Sequence, residues 1–406
     1  RSAEHLYSMI YHADRGLISD LAEFLGRGAD SKDGYDGRTP LDMYTLMIVH
    51  MTNVPGFDEK ASSDRGVIEP PLCMGQARLM CDDLRRLLAY KNLLPRRVLI
   101  DYLKIAFGLH LGLYMLRLFH QVSSWVEAKS AHSACLNCPV SPQSATPFAE
   151  CPFACQSGQE GSIGAQPEIL IDLGDDYASH MAKLARDNCA LHYGKINSYI
   201  RSVFTVNQLF QFAESSKGRR IYRTAPKTVA EVIGILADPP RELEDYYDTR
   251  LDNLLPPEEL EEERGEVKAI YELRGLSSFE KFIELVSLER VAYYRKYLGE
   301  QIDSSLMKNE ETCLVVQGKG KRNARRWYMG SRLLEMLAQI ALLEPATDAF
   351  HSRSLLIEDF IGWLRERYGF VIVPEKANAT IQDYGAFNRN LSHLKNRLRE
   401  IGFYSG

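Results

Sequence analysis

From Val98 to Val122 apolar residues fall on nearly every face of a helical wheel, and no other stretch limits the fold as strongly. A helix that is hydrophobic all round has to be surrounded by other helices, so this one predicts the central pillar of a helical domain. Its most apolar part, Ile105 to Leu116, contains His110 and is shorter than the roughly 20 residues that a bilayer crossing needs. A buried core helix follows, with no membrane span. Before it, Ala77, Leu79, Leu84, Leu87 and Leu88 keep helical spacing up to a break near Pro95. After it, Met181, Leu184, Ala185, Leu191, Ile196, Ile200 and Leu209 carry the same period within Ala178 to Phe212. A shorter helix is read from Leu17 to Leu25. The residues beyond it, Gly28-Ala29-Asp30 and Asp36-Gly37-Arg38-Thr39-Pro40-Leu41, look like an ankyrin turn. A single copy cannot stack, so a helix stop and restart is the expected reading.

A chain of 406 residues is expected to hold two or three domains. Its formal charge of −5 gives no global pull toward nucleic acid or anionic lipid, so any such contact has to come from local patches. Four of the eight cysteines lie between Cys135 and Cys155, in a segment from Ala128 to Pro167 that is too polar to form a core. The pairs Cys135-x2-Cys138 and Cys151-x3-Cys155 can place four thiolates tetrahedrally around zinc, and a closed set of four ligands is structural rather than catalytic. His132 could replace one sulfur. Surface cysteines without metal, or a redox or iron–sulfur role, are the alternatives. Cys73, Cys81, Cys189 and Cys313 read as scattered buried thiols, and without a disulfide framework the expected compartment is the reducing cytoplasm. Arg1-Ser2-Ala3-Glu4-His5 lacks the features of a signal peptide.

Two further segments carry positive charge. Lys319, Lys321, Arg322, Arg325 and Arg326 are interleaved with Gly318, Gly320, Trp327 and Tyr328, before a helix read from Ser331 to about Leu343. Flexible glycines, cations and aromatic rings suit a phosphate backbone. The alternative is a solvated basic loop, or one paired with the acidic run Glu258 to Glu263. Near the C-terminus, Ser354 is read as the cap of a helix carrying Leu355, Leu356, Phe360, Ile361 and Leu364, which Gly369 stops. A short strand from Phe370 to Val373 and a helix from about Tyr384 to Glu400 follow. On that last helix Phe387, Leu391, Leu394, Leu398 and Ile401 point inward. Asn388, Arg389, Ser392, Lys395, Asn396 and Arg399 are then left outward. Helix, strand, basic helix is the order of a winged helix, which docks on DNA or on protein.

No nucleophile elbow, zinc-protease motif, Walker loop, dinucleotide fingerprint or kinase set is present. A divergent metal-dependent nuclease would need Asp172, in a short strand read from Glu168 to Leu173, together with Glu266 and Lys268. Glu266 and Lys268 lie where the sequence reads as an acidic helix, which disfavours that chemistry.

The helix from Arg96 to Phe119, the cysteine pairs, and Arg325-Arg326-Trp327-Tyr328-Met329-Gly330-Ser331 leading to Trp363-Leu364-Arg365-Glu366-Arg367-Tyr368-Gly369 resemble a known family. They are similar to accessory subunits of bacterial phage-defence operons linked to DNA modification, of the phosphorothioation-dependent or methylation-associated kind. The resemblance implies a non-catalytic subunit working beside a DNA-translocating ATPase and a nuclease, and it transfers no catalytic residue. The expectation is therefore a mainly α protein. It has a helical domain at 1–127, a zinc-stapled insertion at 128–167, a helical middle region at 168–310, and a basic loop with a winged-helix-like domain at 311–406. Its function is to hold DNA for partner proteins, with a purely structural scaffold as the competing class.

Overall fold

The computed structural model describes residues 2–27, 43, 68–130, 138–144, 146–148, 151, 168–222, 224–253, 267–318, 324–345, 350–373 and 380–404. They are mainly helical. Helices α1 (Ser2–Ala13), α2 (Arg15–Leu25), α3 (Met74–Leu88) and α4 (Arg96–Glu127) come first. Strand β1 (Ile169–Leu170) precedes α5 (His180–Glu214), the short α6 (Gly218–Ile221) and α7 (Val229–Gly234), α8 (Arg241–Asp252) and α9 (Ser278–Ser305). The last part runs β2 (Val315–Gln317), β3 (Arg325–Trp327), α10 (Ser331–Ala341), β4 (Leu343–Pro345), β5 (Phe350–Ser352), α11 (Ile357–Tyr368), β6 (Phe370–Val371) and α12 (Ile381–Glu400).

The all-apolar helix is α4, and it is the pillar: α3, α5 and α9 pack around it, with α1 and α10 also in contact. It is long and apolar enough to cross a membrane, but 67% of its most apolar window is buried inside the protein. Pro95 stands at its N-cap, where a missing N–H costs nothing. Two of its glycines admit α9 at close range. A Cβ on Gly108 would stand 2.5 Å from the Ser305 carbonyl oxygen, and one on Gly112 would stand 2.3 Å from Leu306 Cδ2.

Caps account for several helix starts. Asp14 accepts the Leu17 N–H at 3.2 Å to open α2, and capping boxes open α9 (Ser277 with Glu280) and α12 (Thr380 with Asp383). The α12 box moves that helix start to Ile381, before the expected Tyr384. Helix α11 begins later than expected, at Ile357 rather than after Ser354, and Leu356 is 69% exposed. Strand β5 holds the chain extended there, and the Arg353 N–H still bonds the Leu342 carbonyl at 2.8 Å. Gly369 closes α11 at φ 77, as its sequence position predicts.

The strands join parts of the chain that are far apart in sequence. Strands β2 and β3 are antiparallel, with Val315 opposite Trp327, and β1 is parallel to β6, with Ile169 opposite Phe370. A parallel bridge between Asp172 and Tyr328 places the segment after β1 beside β3. The expected order helix, strand, helix is present as α11, β6 and α12, and the partner of its strand is β1. Strands β4 and β5 make a separate antiparallel pair.

The largest apolar core takes residues from all four expected segments: Leu84 and Leu113, Val140 and Phe148, Ile171 and Ile200, Trp327 and Leu394. A second core joins the end of α5 to α7, α8 and the start of α9 through Phe212, Val232, Tyr247 and Phe282. A buried polar network crosses the first core. Asp83 accepts from His110 Nε2 at 2.9 Å, Tyr368 Oη at 2.7 Å and Arg367 Nε at 3.0 Å. Asp82 binds Arg86 at 2.8 Å and also Arg367. Burial alone would raise the Asp83 carboxyl, but Arg367, His110 and Tyr368 outweigh it and bring it down to about 2.

Candidate functional site

The two positively charged features of the sequence are α12 and the β2–β3 region, and both line one cleft. Helix α12 is amphipathic in the expected sense: Phe387, Leu394 and Leu398 are buried, while Asn388, Arg389, Ser392, Asn396 and Arg399 are exposed and Lys395 is half-buried. Three polar side chains hold its inner side. Asn390, fully buried, accepts the Leu173 N–H at 2.8 Å and donates to the Ile171 and Ile372 carbonyls, each at 2.9 Å. One side chain thereby bridges the segments that follow β1 and β6. Asp383 bonds His180 at the start of α5 at 2.8 Å. Arg397 donates to the Met329 carbonyl at 2.8 Å, to Asp175 at 3.1 Å and to the Tyr328 hydroxyl.

With α12 fixed in this way, its outer face runs along Arg389, Ser392, Asn396 and Arg399, at the three- and four-residue spacing that aligns side chains on a helix. Arg399 Nη1 donates to Asn396 Oδ1 at 3.0 Å. Among the described residues Arg389 and Lys395 enter no ion pair.

The β3 arginines are differently placed. Successive strand residues face opposite ways, so Arg325 and Arg326 separate to two sides of the sheet. Arg325 makes a two-pronged contact with Asp303, 2.8 and 2.7 Å, and lies 4.9 Å over the Tyr193 ring. Burial would raise Asp303, but hydrogen bonds from Arg325, Lys308 and Tyr193 hold its carboxyl below the usual range. Arg326 is 1% exposed, pairs with Asp172, donates to the Gly174 carbonyl at 3.1 Å and packs against the Tyr177 ring at 4.1 Å. Burial raises the Asp172 carboxyl, against the pull of Arg326. The structure thus places both arginines beside carboxylates, Arg326 inside the fold and Arg325 with part of its side chain still exposed. Lys319, Lys321 and Arg322 lie outside the described residues.

The cleft between β2, β3 and α12 has a volume of about 630 Å³. Arg326, Arg397 and His393 line it, and so do Asp175, Glu310, Glu311 and Glu400. Carboxylates outnumber cations there, so the floor of the cleft disfavours a polyanion.

Of the four expected zinc ligands, Cys138 and Cys151 are described, and Cys135, Cys155 and His132 lie outside the described residues. Cys138 sits against the first turn of α3, where a Cβ on Gly75 would be 3.2 Å from its sulfur. Among the described residues no three Cys, His, Asp or Glu side chains stand at the spacing of a metal-ligand set. The alternative nuclease residues are engaged elsewhere: Asp172 with Arg326, and Lys268 with Glu272 at 3.9 Å. Glu266 lies outside the described residues, as does the ankyrin-like turn.

A family model described as methylation-associated defense system protein MAD7 matches residues 1–406. The chain belongs to this family. No curated protein and no solved structure gives a significant match. The family is the methylation-associated one of the two kinds that the sequence resembles, and its match extends over the whole chain.

Several residues that build the site or the buried core network are not singled out by sequence reading: Asn390, Asp303, Asp83, Arg367 and Arg117. For some a signal exists. His110, Tyr114, Arg117 and Gln121 interrupt the most apolar helix on one stripe, and all four are buried. A polar stripe on a helix with no solvent face means an internal polar network. Asn390 and Asp303 carry no such signal, because they lie on amphipathic helices where a polar residue is ordinary.

Proposed function

We propose that this protein is a non-catalytic subunit that holds duplex DNA for partner proteins of a methylation-associated defence system. The partners would include a DNA-translocating ATPase and a nuclease that supply the catalysis. The observation that carries the reading is the outer face of α12. It is exposed and basic, with Arg389 and Lys395 unpaired among the described residues, while its inner face is locked by Asn390, Asp383 and Arg397. A basic helix face held from its inner side suits backbone contacts, to which Lys319, Lys321 and Arg322 would add, with Asn388 and Asn396 available to base edges. In this reading a structural zinc ion orders the 128–167 insertion through its cysteines, and a winged-helix-like unit presents α12.

The test is duplex-DNA binding by fluorescence anisotropy across a salt series, for the protein and for a variant with Arg389, Lys395 and Arg399 changed to alanine. The variant is expected to bind at least about tenfold more weakly and to lose about three units of log–log salt slope, close to one per phosphate contact. No binding at low salt would remove the reading. A purely protein-docking scaffold is the second reading, favoured by one observation. Tyr293, Tyr294 and Tyr297 on α9 are 59%, 42% and 49% exposed, and large aromatic rings on a helix face are common at protein interfaces.

A further inference from the structure

Helix α9 carries an aromatic cluster that neither packing nor helix formation explains. Residues 292–297 are exposed without a break, and Tyr293, Tyr294 and Tyr297 lie among them. Tyrosine is a poorer helix former than alanine or leucine, so three of them within five exposed positions do not serve the helix itself. One ring has a packing role: Tyr294 stands edge-on to Phe204 of α5, with centroids 5.7 Å apart. Tyr293 packs against Tyr297, one turn further on, at 4.6 Å and against Tyr294 at 5.5 Å, and both Tyr293 and Tyr297 keep about half of their surface open. The charges around the rings have one sign. Arg290 precedes the three tyrosines by three, four and seven residues, which places it on their face of the helix. Lys296 Nζ lies 6.0 Å from the Tyr297 ring centre, and Arg295 is exposed on the other side of the helix. No acidic residue occurs between Glu289 and Glu300. Among the described residues none of these three cations enters an ion pair, although the chain as a whole is acidic and its carboxylates take up Arg325, Arg326 and Arg367.

We propose that this face of α9 binds a single strand of DNA, with Tyr293 and Tyr297 as stacking rings for unpaired bases and Arg290 and Lys296 as contacts for its phosphates. Every base has a π-face, so such rings accept a strand of any sequence while the cations follow its backbone. A duplex keeps its bases stacked on one another and leaves none to these rings. A protein partner would also cover the rings, but three uncompensated cations within seven residues call for a polyanion. From Arg290 to Tyr297 the helix rises about 10 Å, the length of about three stacked nucleotides. The surface shares no residue with the outer face of α12, so it adds a second contact to the duplex reading. Only the choice of DNA over RNA rests on that reading.

The full chain is titrated into fluorescein-labelled oligo(dT), oligo(U) RNA and a DNA duplex, with fluorescence anisotropy as the readout and circular dichroism as the check that each variant is folded. Tyr293→Ala with Tyr297→Ala is expected to weaken oligo(dT) binding at least about tenfold and duplex binding by less than about twofold. Tyr293→Phe with Tyr297→Phe keeps both rings and should bind oligo(dT) like the unaltered protein. Arg290→Ala with Lys296→Ala should lower the log–log salt slope for oligo(dT) by about 1.4, about 0.7 for each phosphate contact. The variant with Arg389, Lys395 and Arg399 changed to alanine should lose duplex and keep oligo(dT), so the two readings fail separately: oligo(dT) binding without any duplex binding would remove the α12 reading and keep this one. The proposal is overturned by an absence of oligo(dT) binding at low salt, which would leave the rings to a protein partner. It is equally overturned by a double tyrosine-to-alanine variant that binds oligo(dT) unchanged or loses duplex to the same extent, or by tighter binding of oligo(U) than of oligo(dT).

Discussion

At the scale of single residues, the charges of this chain are largely used internally. Arg325, Arg326 and Arg367 each meet a carboxylate inside the fold, and Arg397 meets Asp175 at the surface. A pair of histidines, His192 buried and His120 half-buried, adds a pH response. His120 Nε2 meets His192 Nδ1 at 3.1 Å, and His192 Nε2 meets the Glu168 carbonyl at 3.0 Å. Burial, reinforced by His192 and Lys195, brings His120 down to about 3, and burial lowers His192 as well. The unfolded chain binds a proton near pH 6.5 that the folded chain refuses, so stability falls as pH drops below that value. The expected slope is at most about 1.4 kcal/mol per pH unit for each histidine. Urea unfolding at about pH 7, 6 and 5 should show this, with a shallower slope for His120→Gln. An unchanged slope would place the response elsewhere.

At the scale of elements, α12 is positioned by a few polar contacts as well as by its apolar face. Replacing Asn390 by alanine leaves the Leu173 N–H and the Ile171 and Ile372 carbonyls without their buried partner. Each orphaned group costs about 1–3 kcal/mol, so Asn390→Ala is expected to cost at least about 3 kcal/mol of unfolding free energy. Exposed Asn388, on the same helix, should tolerate alanine within about 0.5 kcal/mol. Equal effects at the two positions would contradict the bridging role of Asn390. The amphipathic pattern of α12 was legible because its inward residues keep helical period. Which of its three asparagines is structural was not, since all are polar and only the approach of the strand ends singles out Asn390.

At the scale of the whole molecule, long-range contacts tie the last hundred residues to the rest. Arg367 ends in the Asp82–Asp83 network, β6 pairs with β1, and Asp172 holds Arg326. A fragment covering 311–406 would leave Arg367 and Arg326 without their carboxylates and β6 without its partner strand. It is therefore expected to show no cooperative unfolding transition by circular dichroism, whereas the full chain does. Independent, cooperative folding of the fragment would mean that these contacts are dispensable.

The sequence alone determined the helical class, the pillar from Arg96 onward, the stop at Gly369 and the inward face of α12, because each is written in local period, capping or turn chemistry. The tertiary structure alone decided where the charges go. A basic run reads the same whether its arginines meet solvent or a carboxylate 154 residues away, as Arg326 meets Asp172. Local spacing carries information about neighbours along a helix or strand, and these pairings join residues that become neighbours only when the chain has folded.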